Sequence, residues 1–258
     1  MIINYIIAVV LAIILGQAVN HLIRRLPLII EDDKAYKKLF STLKTDFKLD
    51  YKYSIILVIL NLLIAFFVKN TYIIWIYIIL VSMLLVVLVI DFKMQLIPDT
   101  TQAVIFALGI ITTCIDYTNW LCHIIGMGLG LGIFVLIAIF SKIVFRKEGM
   151  GMGDIKLMAG LGLLFGIDHI PVSLTDFFSS ANVILTITLL AFFVAAIVAV
   201  YLIITKKTEK SQYMAFGPYI VIATIFIILF GTKPILDSYF YICNGLADLI
   251  TNIMMKFV

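Results

Sequence analysis

Apolar runs separated by short polar breaks recur along the whole chain, near 2–22, 54–69, 71–90, 100–116, 121–144, 155–167, 181–204 and 214–232. A helix needs about 20 residues to cross the hydrocarbon core of a bilayer. Inside lipid the backbone must satisfy its own hydrogen bonds, which leaves helices rather than open strands. The pattern therefore predicts an all-α fold, a polytopic integral membrane bundle of about eight transmembrane helices. The sixth run is short and rich in glycine, so it is expected to be tilted or shielded by its neighbours. Beyond it, Asp237, Asn244 and Asp248 interrupt the last apolar stretch, which favours an outer-surface amphipathic helix over a ninth span. Three parts follow: a first span with its polar loop over 1–53, a membrane-embedded core over 54–233, and a membrane-associated segment over 234–258.

Composition agrees with this reading. Of 258 residues, 64% are hydrophobic and 13% charged, and the mean hydropathy is +1.18. Soluble domains carry about a quarter charged residues. The distribution of charge sets a direction. No basic residue precedes the first run, while Arg24 and Arg25 follow it, as expected for a retained span with its N-terminus outside rather than a cleaved signal peptide. In that topology all of the 19 Lys and Arg except Lys69, Lys233 and Lys256 fall on the cytosolic side. The longest polar segment, 24–53, spaces Tyr36, Leu39, Phe40, Leu43 and Phe47 like one face of a helix among lysines, fit to lie on an anionic inner leaflet or to serve as a solvated connection. The net charge of +4 marks no nucleic-acid surface.

Two acidic residues stand apart from those in the loops. Asp91 follows seven apolar residues at the end of the third run, and Asp154 lies where a glycine-rich turn enters the sixth. Both fall at the cytosolic side, so two carboxylates from distant segments can meet at one depth. A carboxylate in a membrane costs roughly 2.5–3.5 kcal/mol at a helix centre and less near the interface, and its retention points to function. Two adjacent carboxylates resist being ionised together, so one holds a proton while the other acts as base. Such a pair can activate water and polarise a carbonyl, which suffices for peptide hydrolysis. Gly149, Gly151 and Gly153 allow a tight turn and close approach of a substrate backbone. Each acid alone has a plainer reading: an N-cap for Asp154, a juxtamembrane charge for Asp91.

In GMGMGDIKL the chain resembles the Gly-x-Gly-Asp signature of the type IV prepilin peptidases, in a form ending Asp-x-Lys-Leu. IDFKMQLIPD resembles their aspartate followed some eight residues later by Pro-Asp. GQAVNHLIRRLP is similar to their opening element at Gly16, Asn20, Arg25, Leu26 and Pro27, and MAFGPYI to their Phe-Gly-Pro stretch at Phe216, Gly217 and Pro218. The elements occur in family order across most of the chain. The resemblance implies that Asp91 and Asp154 are the catalytic pair of a membrane aspartyl endopeptidase that removes the leader of prepilins or pseudopilins at the cytosolic face of a bacterial inner membrane. It implies loop-supporting or substrate-binding roles for Gly151, Gly153, Lys156, Pro98 and Asp99, with Lys156 orienting the loop or an acidic substrate group. Asp99 rivals Asp91, but its place after Pro98 favours capping the fourth helix. Glu148 is expected to be solvated.

Many bacterial relatives carry two Cys-x-x-Cys pairs in the first cytosolic loop, a zinc pattern. Here 24–53 contains no cysteine, and Cys114, Cys122 and Cys243 have no metal-like spacing, so no metal is expected. His21, His123 and His169 read as core or interface residues. No cofactor is expected for proteolysis. Longer relatives also N-methylate the new N-terminus, which would require S-adenosylmethionine; the opening element permits that activity here and the missing cysteine pairs argue against it. The expected partners are the prepilin and the lipid bilayer, with no nucleic acid. The alternative from another class is a transporter whose membrane aspartates couple to protons or cations, which would place them nearer the midplane and show internal repeats.

Overall fold

The computed structural model describes residues 2–31, 51–68, 71–146, 150–170, 182–205, 215–239, 241 and 245. In order along the chain run α1 (Ile2–Glu31), α2 (Tyr51–Phe67), α3 (Thr71–Met94), α4 (Asp99–Ile115), a short 3-10 turn (Tyr117–Asn119), α5 (Trp120–Phe145), α6 (Met152–Phe165), α7 (Asn182–Ile204) and α8 (Gly217–Phe230). A further helix, α9 (Lys233–Tyr239), turns away from α8 by 113° at Gly231, whose φ of 78° is a left-handed value open to glycine. No strand occurs among the described residues.

Each apolar run of the sequence coincides with a helix, although the lengths differ. α1 does not stop near residue 22 but continues through Arg24 and Arg25 to Glu31. Charge ends an apolar run without ending a helix, since arginine is a good helix former. The helical pattern over Tyr36 to Phe47, and Glu148, Gly149 and Cys243, lie outside the described residues. Among the described residues, four helices are long and apolar enough to cross a membrane, or five if the bent pair of α8 and α9 forms one span. The 17 residues of α2 and of α4 and the 14 of α6 are shorter than a full crossing demands.

Burial separates the helices by role. The window of α3 over Ile73–Met94 is 67% buried, against 17% for Tyr117–Val144, so α3 runs through the middle of the bundle and α5 faces outward. α3 packs on α1, α2, α4 and α8; α6 is enclosed by α5, α4, α7 and α8. Ten of the fourteen residues of α6 are buried, which shields this short glycine-rich helix from lipid. Two buried hydroxyls are satisfied within their own helices: Ser82 donates to the Ile78 carbonyl at 2.7 Å, and Thr224 to that of Ile220 at 2.7 Å.

The α5–α6 contact is backbone against backbone. A Cβ on Gly126 would lie 2.5 Å from the carbonyl oxygen of Gly162, one on Gly162 would meet the Gly126 carbonyl, and one on Gly130 would meet the Met158 carbonyl. Small residues four apart let membrane helices approach in this way. Gly162→Ala is therefore expected to destabilise the bundle by about 1–3 kcal/mol, the usual cost of an added methyl in a filled contact. Thermal unfolding in detergent measures it, and an unchanged midpoint would refute the close approach.

Candidate active site

Asp91 occupies the last turn of α3, which ends where Gln95 adopts a left-handed φ of 53° and donates its N–H to the Asp91 carbonyl at 2.9 Å. A non-glycine residue in this region carries backbone strain on the order of 1 kcal/mol. The chain then passes through Leu96, Ile97 and Pro98 into α4. The Asp91 side chain is buried, 3% exposed, and its carboxylate accepts the backbone N–H of Gly217, the first residue of α8. That N–H belongs to a helix N-terminus and has no partner within its own helix. The other carboxylate oxygen, Oδ2, has no hydrogen-bond partner among the described residues.

Asp154 enters from the opposite direction. Gly151 is the N-cap of α6, and Asp154 is the third helical residue, 7% exposed. Its carboxylate accepts the backbone N–H of Gly151, while its own N–H donates to the Gly151 carbonyl at 3.1 Å. This is the reach-back half of a capping box, with an aspartate in the glutamate position. A side chain that loops back onto its own N-cap is held at the helix mouth instead of pointing away from it. Asp91 and Asp154 lie within electrostatic reach of each other.

Ile97 packs against the backbone that carries them, at Gly153 beside Asp154 and at Gly217 beside Asp91. A Cβ on Gly153 would lie 3.1 Å from Ile97 Cβ, and one on Gly217 would lie 3.0 Å from Ile97 Cδ1 and 2.5 Å from Asp91 Oδ2. Glycine is thus required at 217 by space. The start of α8 is held in turn by Phe216, whose ring lies 4.8 Å from that of Phe192, 5.9 Å from that of Phe134 and 6.1 Å from that of Tyr219. Gln102, 3% exposed in the first turns of α4, donates Nε2 to the Gly153 carbonyl at 3.3 Å and reaches the Ile97 carbonyl at 3.5 Å.

The surrounding residues take positions of several kinds. Pro98 is the N-cap of α4, and its carbonyl accepts the Thr101 hydroxyl at 2.7 Å. Asp99 does not cap α4, contrary to the expectation from its place after a proline. It is the first helical residue, makes no side-chain cap, and pairs instead with Lys156 Nζ at 2.8 Å. The lysine, two residues past Asp154, draws the carboxylate across to α6 because an ammonium is a stronger partner than α4's own amides. Lys156 therefore ties α6 to α4. Both side chains are well exposed, and exposed pairs contribute about 0–1 kcal/mol. Lys156→Ala is accordingly expected to leave any activity of the site within about fivefold of the parent; a larger loss in initial-rate assays would assign the lysine a direct contact with substrate.

Gly217 and Gln102 carry roles that their sequence context did not assign. The signal for Gly217 was a glycine directly before Pro218 at the start of an apolar run, and for Gln102 an amide inside one. His123 serves packing, its Nδ1 2.8 Å from the Leu163 carbonyl, joining α5 to α6. Among the described residues no group of three His, Cys, Asp or Glu gathers as metal ligands would. The paired acids sit at helix ends, Asp91 in the last turn of α3 and Asp154 in the first of α6, rather than in the middle of a span.

A profile of the type IV leader peptidase family matches residues 78–232, which include both aspartates, the glycine turn and Gly217. Among curated proteins, the prepilin leader peptidase/N-methyltransferase of Pseudomonas putida is 32% identical over 155 residues, covering 58% of this chain and 48% of the relative. That of Pseudomonas aeruginosa is 31% identical over 152 residues, covering 58% and 47%. A more distant one from Neisseria gonorrhoeae is 26% identical over 146 residues, covering 56% and 45%. The matched stretch thus spans about half the length of each relative. No solved structure matches the chain.

Proposed function

Because the chain belongs to the type IV leader peptidase family, its matched region covering residues 78–232, we propose that it is a membrane aspartyl endopeptidase that cleaves the leader from prepilins or pseudopilins. The observation that carries this reading is the meeting of two buried carboxylates, Asp91 from α3 and Asp154 from α6, each held by one backbone N–H. With Asp91 Oδ2 unpaired among the described residues, the pair has an acceptor to offer a water molecule. One carboxylate takes a proton from that water as it attacks the scissile carbonyl, and the other, protonated, donates to the carbonyl oxygen. The fixed backbone donors leave each acid little freedom to turn away, which is the preorganisation such a reaction needs.

In the proposed topology all eight long helices cross or enter the bilayer, the N-terminus is outside, and both acids lie at the cytosolic face of a bacterial inner membrane. A prepilin would present its apolar helix within the lipid and its basic leader in the cytosol, bringing the bond after a glycine to the mouth of α6. Gly151, at the mouth of α6, presents no side chain to an extended substrate backbone. Incubation of the detergent-solubilised protein with a prepilin, followed by mass spectrometry, tests the reading. Loss of the leader by a cut after glycine supports it, and an intact prepilin under conditions where the protein is folded overturns it.

Methyl transfer is a separate matter. The curated relatives are named N-methyltransferases as well as peptidases, an activity that would use S-adenosylmethionine. In this chain the described part of the opening element packs two helices together. A Cβ on Gly16 would lie 2.5 Å from Ser54 Oγ, and buried Asn20 donates to that same hydroxyl at 3.4 Å. These contacts give the described part of the element a packing role between α1 and α2, and no methyl-transfer step is assigned to it.

A further inference from the structure

Gln102 is a buried amide that belongs to neither acid, yet it touches the segments that carry both. Its Nε2 faces two carbonyl oxygens, those of Gly153 at 3.3 Å and Ile97 at 3.5 Å. Gly153 immediately precedes Asp154, and Ile97 lies in the connection that leaves α3 just after Asp91. Turning the amide over would set oxygen against oxygen, so the two carbonyls fix its orientation. Its other atom, Oε1, is then a buried acceptor with no partner among the described residues. Such an orphan costs stability, and an apolar side chain of the same shape would remove it. The arrangement is therefore a poor one for holding helices together and a specific one for holding two backbone segments in register.

We propose that Gln102 is a positioning residue for the aspartate pair, bridging the glycine turn of Asp154 to the connection behind Asp91 and so setting the separation of the two carboxylates. This rests on the reading of that pair as the peptidase centre. Ile97 supplies the steric half of the same spacer, since its side chain abuts both Gly153 and Gly217. A pair that shares a proton depends on its spacing for which acid holds it, so a shift of the turn changes the pH response as well as the rate. A merely structural residue would lower stability and leave the shape of that response alone.

The test uses the full-length protein in detergent with a prepilin substrate. Gln102→Met keeps the length and removes both the donor and the orphaned acceptor. It is expected to lower kcat about 10- to 100-fold through misplacement of the acids, with KM within twofold, an unchanged or higher melting temperature, and a displaced pH–rate profile. Gln102→Glu adds a titration. When protonated it donates an O–H to the carbonyls and recovers activity relative to Gln102→Met, and when ionised it repels them and loses that advantage. Hydrogen exchange across 150–158 provides a readout independent of cleavage, expected to quicken several-fold in Gln102→Met. Parent-like kcat and pH profile in Gln102→Met, or unchanged exchange in that segment, would overturn the proposal. Should the parent itself leave prepilin uncut, the peptidase reading fails, while the exchange comparison still decides whether Gln102 holds the turn.

Discussion

Asp91→Asn and Asp154→Asn are each expected to reduce prepilin cleavage on the order of a thousand-fold or more, because acid–base catalysis commonly contributes about 10²–10⁴-fold and the two acids act as one unit. Asparagine preserves the shape of the side chain and can still accept the N–H of Gly217 or Gly151 through its amide oxygen. It removes the exchangeable proton on which the chemistry turns. The variants should therefore insert into membranes and melt at or above the parent temperature, since a buried charge is removed. The rate of the parent should follow a bell in pH. It falls on the acid side as both carboxylates become protonated and no base remains, and on the alkaline side as both ionise and no acid remains. An Asp91→Asn protein that still processes prepilin at the parent rate would remove that residue from the mechanism.

The second large effect is expected at Gly217, where no charge changes. The backbone there lies outside the left-handed region, so alanine meets no torsional barrier. The obstacle is space: its Cβ would lie 2.5 Å from Asp91 Oδ2 and 3.2 Å from Cγ of the same side chain, with Ile97 3.0 Å away on another side. The carboxylate must move, or the start of α8 must withdraw and with it the N–H that holds Asp91. Displacements near 1 Å at a reacting group cost about a hundredfold, so Gly217→Ala is expected to lose about that much in kcat while folding normally. Initial rates on prepilin, read beside a thermal melt, separate this from unfolding. Parent-like cleavage by Gly217→Ala would show that Asp91 is not held against α8 during catalysis.

The two predictions differ in how visible their residues were in the sequence. Asp91 and Asp154 could be picked out because a carboxylate next to a long apolar run is conspicuous when the surrounding solvent is lipid. The turn at Gly151 and Gly153 was equally plain, as glycine spacing is a local property. Gly217 was visible as the middle of a Phe-Gly-Pro stretch, but nothing in its neighbours named Asp91 as the group it must not touch. Asp99 shows the converse. Its position after Pro98 argued for a cap, and the decisive partner, Lys156, was 57 residues away on another helix.

Helix positions, the membrane class and the identity of the two acids are thus properties of the chain as written, because hydropathy, helix formation and the cost of a charge in lipid all act over a turn or two of backbone. The separation of the acids, the donor from α8, the glycine seam between α5 and α6 and the amide bridge at Gln102 belong to the folded bundle. They depend on which helix faces lie against each other and at what distance, and a difference of one methyl group decides them.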